Sequence, residues 1–79
     1  MEPIEVTARF NPSGKIFPLY FQVGDVRLDV HSLGRQWRTE EGTHVLVLDS
    51  RSRAYHLFFR REDTTWFRIR DLQPPGQPT

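Results

Sequence analysis

Short clusters of turn-forming residues interrupt this chain about every 8–12 residues, and this spacing constrains the fold more than any other feature. Apolar and polar residues alternate between the clusters, which is typical of strands with one buried face. The pattern predicts strands at residues 4–10, 15–23, 26–37, 43–49, 54–60 and 65–70. We therefore predict an all-β fold: a single small, strongly bent antiparallel sheet or barrel of about six strands in meander order, SH3-like in architecture and without substantial helix.

The length of 79 residues allows one domain with a modest core, and the absence of cysteine excludes disulfides and cysteine-based zinc sites. We assign residues 1–72 to the domain and expect the proline-rich segment 73–79 to be a disordered tail. The N-terminus lacks the basic and apolar segments of a secretion signal, and no apolar run is long enough to span a membrane. A cytoplasmic protein without a membrane partner is expected.

The register of the first three strands follows from their turns. A two-residue loop at 24–25 places Val23 opposite Val26 and Phe21 opposite Leu28. A four-residue loop at 11–14 places Val6 opposite Leu19. One face of these strands is then apolar, and the reverse face is a solvated surface that carries Glu5, Thr7, Arg9, Gln22, Arg27, Asp29 and His31.

In the second half of the chain, the residues predicted to be buried lie on the opposite face of the strands. A four-residue loop at 50–53 places Tyr55 opposite Leu48, and a loop at 61–65 places Phe59 opposite Phe67. A β-bulge near residues 32–34 would turn these side chains inward and bend the long third strand. The predicted inward set is Leu33, Leu46, Leu48, Tyr55, Leu57, Phe59, Phe67 and Ile69.

The same register predicts an exposed face of aromatic, aliphatic and basic side chains: Val45, Val47, His56, Phe58, Arg60, Trp66, Arg68 and Arg70. Three interpretations are open. The aromatic rings and arginine stems could simply cover a thin barrel. They could bind a protein partner or a second copy, because Trp, Phe and Arg are common interface anchors. They could also bind single-stranded nucleic acid, with bases stacked on Trp66 and Phe58 and arginines on phosphates.

The charge of the chain does not distinguish between these three interpretations. The formal net charge is +1, although residues 51–70 hold six arginines and only two carboxylates. Codon bias could explain the preference for arginine, and so could a need for planar guanidinium groups that contact phosphates or stack.

Catalytic, metal and cofactor sites are not expected. The spacings of His31, His44 and His56 are wide, and the predicted register places His44 and His56 on opposite faces. None of the serines lies in a strained elbow such as Gly-x-Ser-x-Gly, and the glycines stand singly at turns. The carboxylate pairs Glu40-Glu41 and Glu62-Asp63 lie at hairpin tips, where solvent keeps them from acid–base work. We expect a non-enzymatic protein without cofactor or small-molecule substrate.

Three stretches carry a family resemblance: residues 14–21, Trp37 at a strand end, and residues 54–59 followed by 65–70. Together they resemble a family of small uncharacterised bacterial all-β domains, found alone or appended to Y-family DNA polymerase-like proteins. The resemblance covers residues 4–71 and implies a bacterial, cytoplasmic accessory module in a DNA-repair context. The function expected from the sequence is protein binding or self-association, with weak single-stranded nucleic-acid binding as the alternative.

Overall fold

A computed structural model describes residues 1–69, and these residues form seven antiparallel strands and no helix. The strands are β1 (Glu2–Phe10), β2 (Ile16–Val23), β3 (Val26–Asp29), β4 (Ser32–Arg38), β5 (Gly42–Leu48), β6 (Ala54–Arg60) and β7 (Thr65–Ile69). They build one sheet in the order β3-β2-β1-β7-β6-β5-β4, which is strongly curled into a half-barrel. The predicted all-β, strongly bent antiparallel fold is confirmed, with seven strands instead of six, and the strand order consists of two meanders, β1–β3 and β4–β7, joined by the β1–β7 pairing.

The additional strand arises because the predicted third strand is divided at Val30 and His31. The N–H of Val30 donates to the carbonyl of Leu19 in β2, at 3.0 Å, whereas that of His31 donates to the carbonyl of Leu48 in β5, at 2.7 Å. The chain thus leaves one edge of the sheet and joins the other within a single residue. The bend lies just before the predicted bulge region, and a second irregularity follows in the β4–β5 pairing between Leu33 and Gln36.

Gln36 joins the two edges of the curled sheet. Its Oε1 accepts from the backbone N–H of Ile16 at 3.0 Å, and its Nε2 donates to the carbonyl of Ile16 at 2.8 Å. β3 pairs only with the C-terminal half of β2, so the N-terminal half of β2 has no strand partner on that side. A side-chain amide therefore takes the place of a peptide group and connects β4 to β2.

The first half of the sheet follows the predicted register with one change. Val23 lies opposite Val26 and Phe21 opposite Leu28, across a turn in which Gly24 has a φ of +59°. Val6, however, pairs with Phe21, and Leu19 is 46% exposed instead of inward. The cause is a bulge at Leu19, next to Pro18, which has no N–H to donate to the ladder. The seven polar residues predicted to be solvated are all exposed.

The predicted inward face of β5 is wrong because the β5–β6 loop has three residues instead of the predicted four. Asp49 and Arg53 pair across a three-residue loop in which Ser52 adopts a φ of 63°. This arrangement is a type I turn followed by a left-handed residue, and it places Val47 opposite Tyr55 and Val45 opposite Leu57. Val45 and Val47 are therefore inward, at 0% and 1% exposure, and Leu46 and Leu48 turn to the other face.

The facing of β7 is also reversed. The β6–β7 loop has four residues, because Arg60 pairs with Thr65, and Thr64 takes a φ of 54°. Phe59 consequently lies opposite Trp66, which joins the core, while Phe67 and Ile69 lie on the other face. The predicted inward facing is confirmed for Tyr55 and Leu57, which are buried in the core, and for Leu33 and Phe59, which pack against it. The core cluster is Ile16, Phe21, Val45, Val47, Tyr55, Leu57 and Trp66.

Candidate functional site: an aromatic and histidine cluster on the outer face

The outer face is the side of the sheet opposite the core cluster, and on β4–β7 it carries a line of aromatic rings. Trp37 pairs with His44, His44 with Phe58, and Phe58 with Phe67, so the four residues lie directly opposite one another across four strands. We call these residues the outer ring row. Directly opposed side chains on one sheet face lie close enough to contact. The pairing of the strands therefore builds the row.

Ring contacts connect the row from end to end. The Trp37 and His44 rings are stacked, 5.0 Å between centroids and 3° from parallel. His44 lies 4.6 Å from Phe58, and Phe58 lies 6.4 Å from Phe67. The guanidinium of Arg35 lies 5.2 Å from the Trp37 ring centre, and that of Arg60 lies 4.5 Å from the Phe67 ring centre. An arginine thus covers each end of the row.

Close approach of the backbone at Gly42 lets the Phe58 ring pack tightly on this face. Phe58 is only 2% exposed, although it lies on the side of the sheet away from the core. A Cβ at Gly42 would stand 3.0 Å from Phe58 Cε1 and 1.9 Å from the carbonyl oxygen of Phe59. Only glycine fits there, and its lack of a side chain leaves the space that the Phe58 ring fills.

His56 adds a second imidazole beside the row. It occupies the position diagonal to His44 on the neighbouring strand, since His56 pairs with Leu46 and His44 with Phe58. His44 Nδ1 and His56 Nε2 are 2.8 Å apart, so one ring nitrogen donates to the other. The His56 ring also lies 5.3 Å from Trp37. The prediction that these histidines lie on opposite faces is wrong, because the facing of β5 is reversed.

Burial keeps both histidines neutral. It lowers the pKa of His44, with the negative charge of Glu41 acting in the opposite direction. It also lowers the pKa of His56, and the nearby His44 adds to this effect. At neutral pH the pair is uncharged, and each ring has one nitrogen lone pair.

Only some of the residues predicted to form an exposed face therefore lie on the same side of the sheet. His56, Phe58 and Arg60 lie on the outer face, whereas Val45, Val47 and Trp66 point into the core. Arg68 is on the inner side, opposite Leu57, with its guanidinium 5.1 Å from the Tyr55 ring centre. Arg70 and the predicted tail at 73–79 lie outside the described residues.

Sequence reasoning missed Trp37, His44 and Arg35. Trp37 and His44 pair directly across β4 and β5, and they meet on the outer face because Val45 and Val47 take the inward positions of β5. The signal that could have corrected this is Asp49, a residue suited to begin a turn. Its Oδ1 accepts from the N–H groups of Arg51 at 2.8 Å and Arg53 at 2.9 Å, and so shapes the three-residue loop.

Two observations weaken the nucleic-acid interpretation. Trp66 and Phe58, the rings on which bases would stack, are 7% and 2% exposed. Arg60 is held by Asp63 through contacts of 3.1 and 2.6 Å, and this pairing lowers the pKa of Asp63 to about 2. A guanidinium engaged in this way is not free for a phosphate.

Comparison with protein-family models, with curated proteins and with solved structures finds no match to this chain. The resemblance to the bacterial all-β domains and the SH3-like description therefore remain predictions from the sequence. Within residues 1–69 there is no helix of the length and hydrophobicity needed to cross a bilayer. The same residues contain no cluster of three or more His, Asp or Glu side chains arranged to hold a metal ion.

Proposed function

We propose that this protein is a non-enzymatic binding module that docks a protein partner on the outer face of β4–β7. The observation that carries the proposal is the outer ring row, with Arg35 beside Trp37 at its sheet-edge end. Tryptophan and arginine are among the residue types most enriched at the energetic centres of protein interfaces. Trp37 is half-buried and needs only a partner's apolar side chain to lose its remaining contact with water.

The charge of Arg35 indicates which residue type the partner should carry. Arg27, Arg53, Arg60 and Arg68 each have a carboxylate within 4.0 Å, whereas Arg35 has none among the described residues, as is also the case for Arg9, Arg38, Arg51 and Arg61. An unneutralised guanidinium next to an aromatic ring favours a carboxylate from the partner. The partner segment should therefore present an acidic residue to Arg35 and an apolar side chain to Trp37.

A nuclear magnetic resonance titration with two synthetic peptides tests this proposal. One peptide combines acidic and aromatic residues, and its matched counterpart has Asn and Gln in place of Asp and Glu. We expect the acidic peptide to shift the resonances of Trp37, His44 and His56, and the neutral peptide to bind more weakly. Arg35→Ala should weaken binding about fivefold or more, as truncation of an anchor residue does.

Arg9→Ala is the matched control, since Arg9 stacks on Phe17 at 4.5 Å on the other half of the sheet. It should leave peptide binding unchanged. Equal weakening by both variants, or no shift at the outer ring row, would rule out the proposed surface. Two further outcomes would assign this surface to a different ligand. A dimer in sedimentation that Trp37→Ala abolishes would indicate a second copy of the chain, and oligonucleotide binding that weakens steeply with salt would indicate nucleic acid.

A further inference from the structure

The two histidines beside the outer ring row form a pair of nitrogen donors that the binding of a protein partner does not require. His44 Nδ1 and His56 Nε2 face each other at 2.8 Å, from adjacent, hydrogen-bonded strands of the sheet. We propose that these two nitrogens chelate a transition-metal ion that favours square-planar geometry, Cu(II) above all. This inference is independent of the proposed protein partner.

The distance between the nitrogens selects the geometry. Imidazole nitrogens lie about 2.0 Å from a bound first-row ion, so adjacent square-planar ligands are about 2.8 Å apart and tetrahedral ligands about 3.3 Å apart. The observed 2.8 Å is the length of the hydrogen bond between the two rings, and it already equals the square-planar separation, so an ion of that geometry could replace the shared proton without moving the strands apart. Zn(II), which prefers a tetrahedron, would have to push the two strands or rings apart by about 0.5 Å.

The protonation of the pair is also suitable. One facing nitrogen carries a proton in the hydrogen-bonded pair, and metal binding requires a lone pair on both. The donor ring meets this requirement when its proton moves to its distal nitrogen, Nε2 of His44 or Nδ1 of His56, with no change in charge.

The surroundings accept a cation. Both rings are half-buried, so solvent reaches them and water can complete the coordination of the ion. The negative charge of Glu41 acts on His44, and it would act on a bound cation in the favourable direction. Trp37, stacked on His44 at 5.0 Å, places an indole close enough for a paramagnetic ion to quench its fluorescence.

Titration of the whole protein with Cu(II) tests the site. We expect saturable quenching of tryptophan fluorescence at one ion per chain, with an electron paramagnetic resonance spectrum that shows two nitrogen ligands. His44→Gln and His56→Gln should each weaken binding about tenfold or more, since even the loss of a residue that only orients a metal ligand has effects of that size. Zn(II) should bind more weakly than Cu(II).

Three variants distinguish this site from copper binding elsewhere on the protein. His31→Gln removes an exposed histidine at the bend between β3 and β4, away from the ring pair, and should leave the affinity unchanged. Trp37→Phe should keep the affinity measured by calorimetry but lose most of the quenching. The doubly substituted His44→Gln, His56→Gln protein retains the N-terminal amine, which is a copper ligand outside the proposed site. If this protein is folded by circular dichroism and binds Cu(II) as tightly as the wild type, the proposal is wrong. Tighter binding of Zn(II) than of Cu(II) would also overturn it.

Discussion

The two halves of the sheet differ in what they present on the outer face. On β1–β3 this face carries two half-buried rings, Phe17 and Tyr20, each covered by an arginine, and is otherwise formed by exposed polar residues: Glu5, Thr7, Arg9, Gln22, Arg27 and Asp29. On β4–β7 the corresponding side carries rings, two of which, Phe58 and Phe67, are only 2% and 7% exposed. The same curled sheet therefore has an ordinary surface on one half and a second, thin apolar layer on the other.

This difference matters for function because a sheet needs only one buried face to be stable, and alternating apolar and polar side chains provide it. The first half shows that this chain can place charged side chains outward wherever only one face needs burial. The apolar layer on the second half therefore goes beyond what the sheet itself requires, and solvent reaches it at Trp37 and His44, which are half-buried. The candidate site lies where the two halves differ.

The largest expected effect comes from removing a ring of this outer layer. Phe58→Ala should lower the free energy of unfolding by about 3–5 kcal/mol, the usual cost of truncating a buried phenylalanine. Gln22→Ala, on the outer face of the first half, should change it by no more than about 0.5 kcal/mol. Urea denaturation of both variants measures the contrast. Similar small effects would mean that the outer layer of the second half is not a packed layer.

Gln36 connects the two halves, and its loss should have the next largest effect. Gln36→Ala removes two hydrogen bonds and leaves the N–H of buried Ile16 without its partner. We expect a loss of about 2–3 kcal/mol, from about 1 kcal/mol for each bond and the cost of the unpaired group. Arg38→Ala, on the same edge strand, is the control. Equal denaturation midpoints for both variants would contradict the role of Gln36.

The histidine pair should make the stability depend on pH. The pKa of both rings is lowered by burial, so the unfolded chain binds more protons than the folded one as the pH falls below 6.5. Stability should therefore decrease from pH 7 towards pH 5, measured as the shift in thermal midpoint. His56→Gln should flatten this dependence, and His31→Gln should retain it. An unchanged slope in His56→Gln would show that the pair is not the cause.

The smallest expected effect tests the turn that orients β5. Ser52 has a φ of 63°, a conformation that costs glycine nothing. Ser52→Gly should stabilise the protein by about 0.5 kcal/mol, the strain relieved less the entropy that glycine loses. Ser50→Gly in the same loop has no such strain to relieve and should destabilise slightly. A loss of stability in Ser52→Gly would argue for the four-residue loop and for the opposite facing of β5.

How far the sequence predicts this protein depends on the strand. In β1 and β3, alternation with charged residues identifies both the strand and its inner face, and the Val23–Val26 and Phe21–Leu28 pairs were correctly predicted. In β5 the run Val45–Leu48 is apolar at every position, so either face could be the buried one. The facing there depends on the turn at Asp49, and a difference of one loop residue reverses it.

The sequence by itself determined that this chain is all-β, where five of the six connections between its strands fall, that its longest strand must bend, and which face of its first half is buried. Local backbone preferences and period-two alternation act within a few residues, and they are sufficient for those features. Only the tertiary structure decided that Val45 and Trp66 lie in the core while Trp37, His44 and His56 meet outside. That outcome rests on turn geometry and on the closing of the sheet through Gln36, which link residues far apart in the chain.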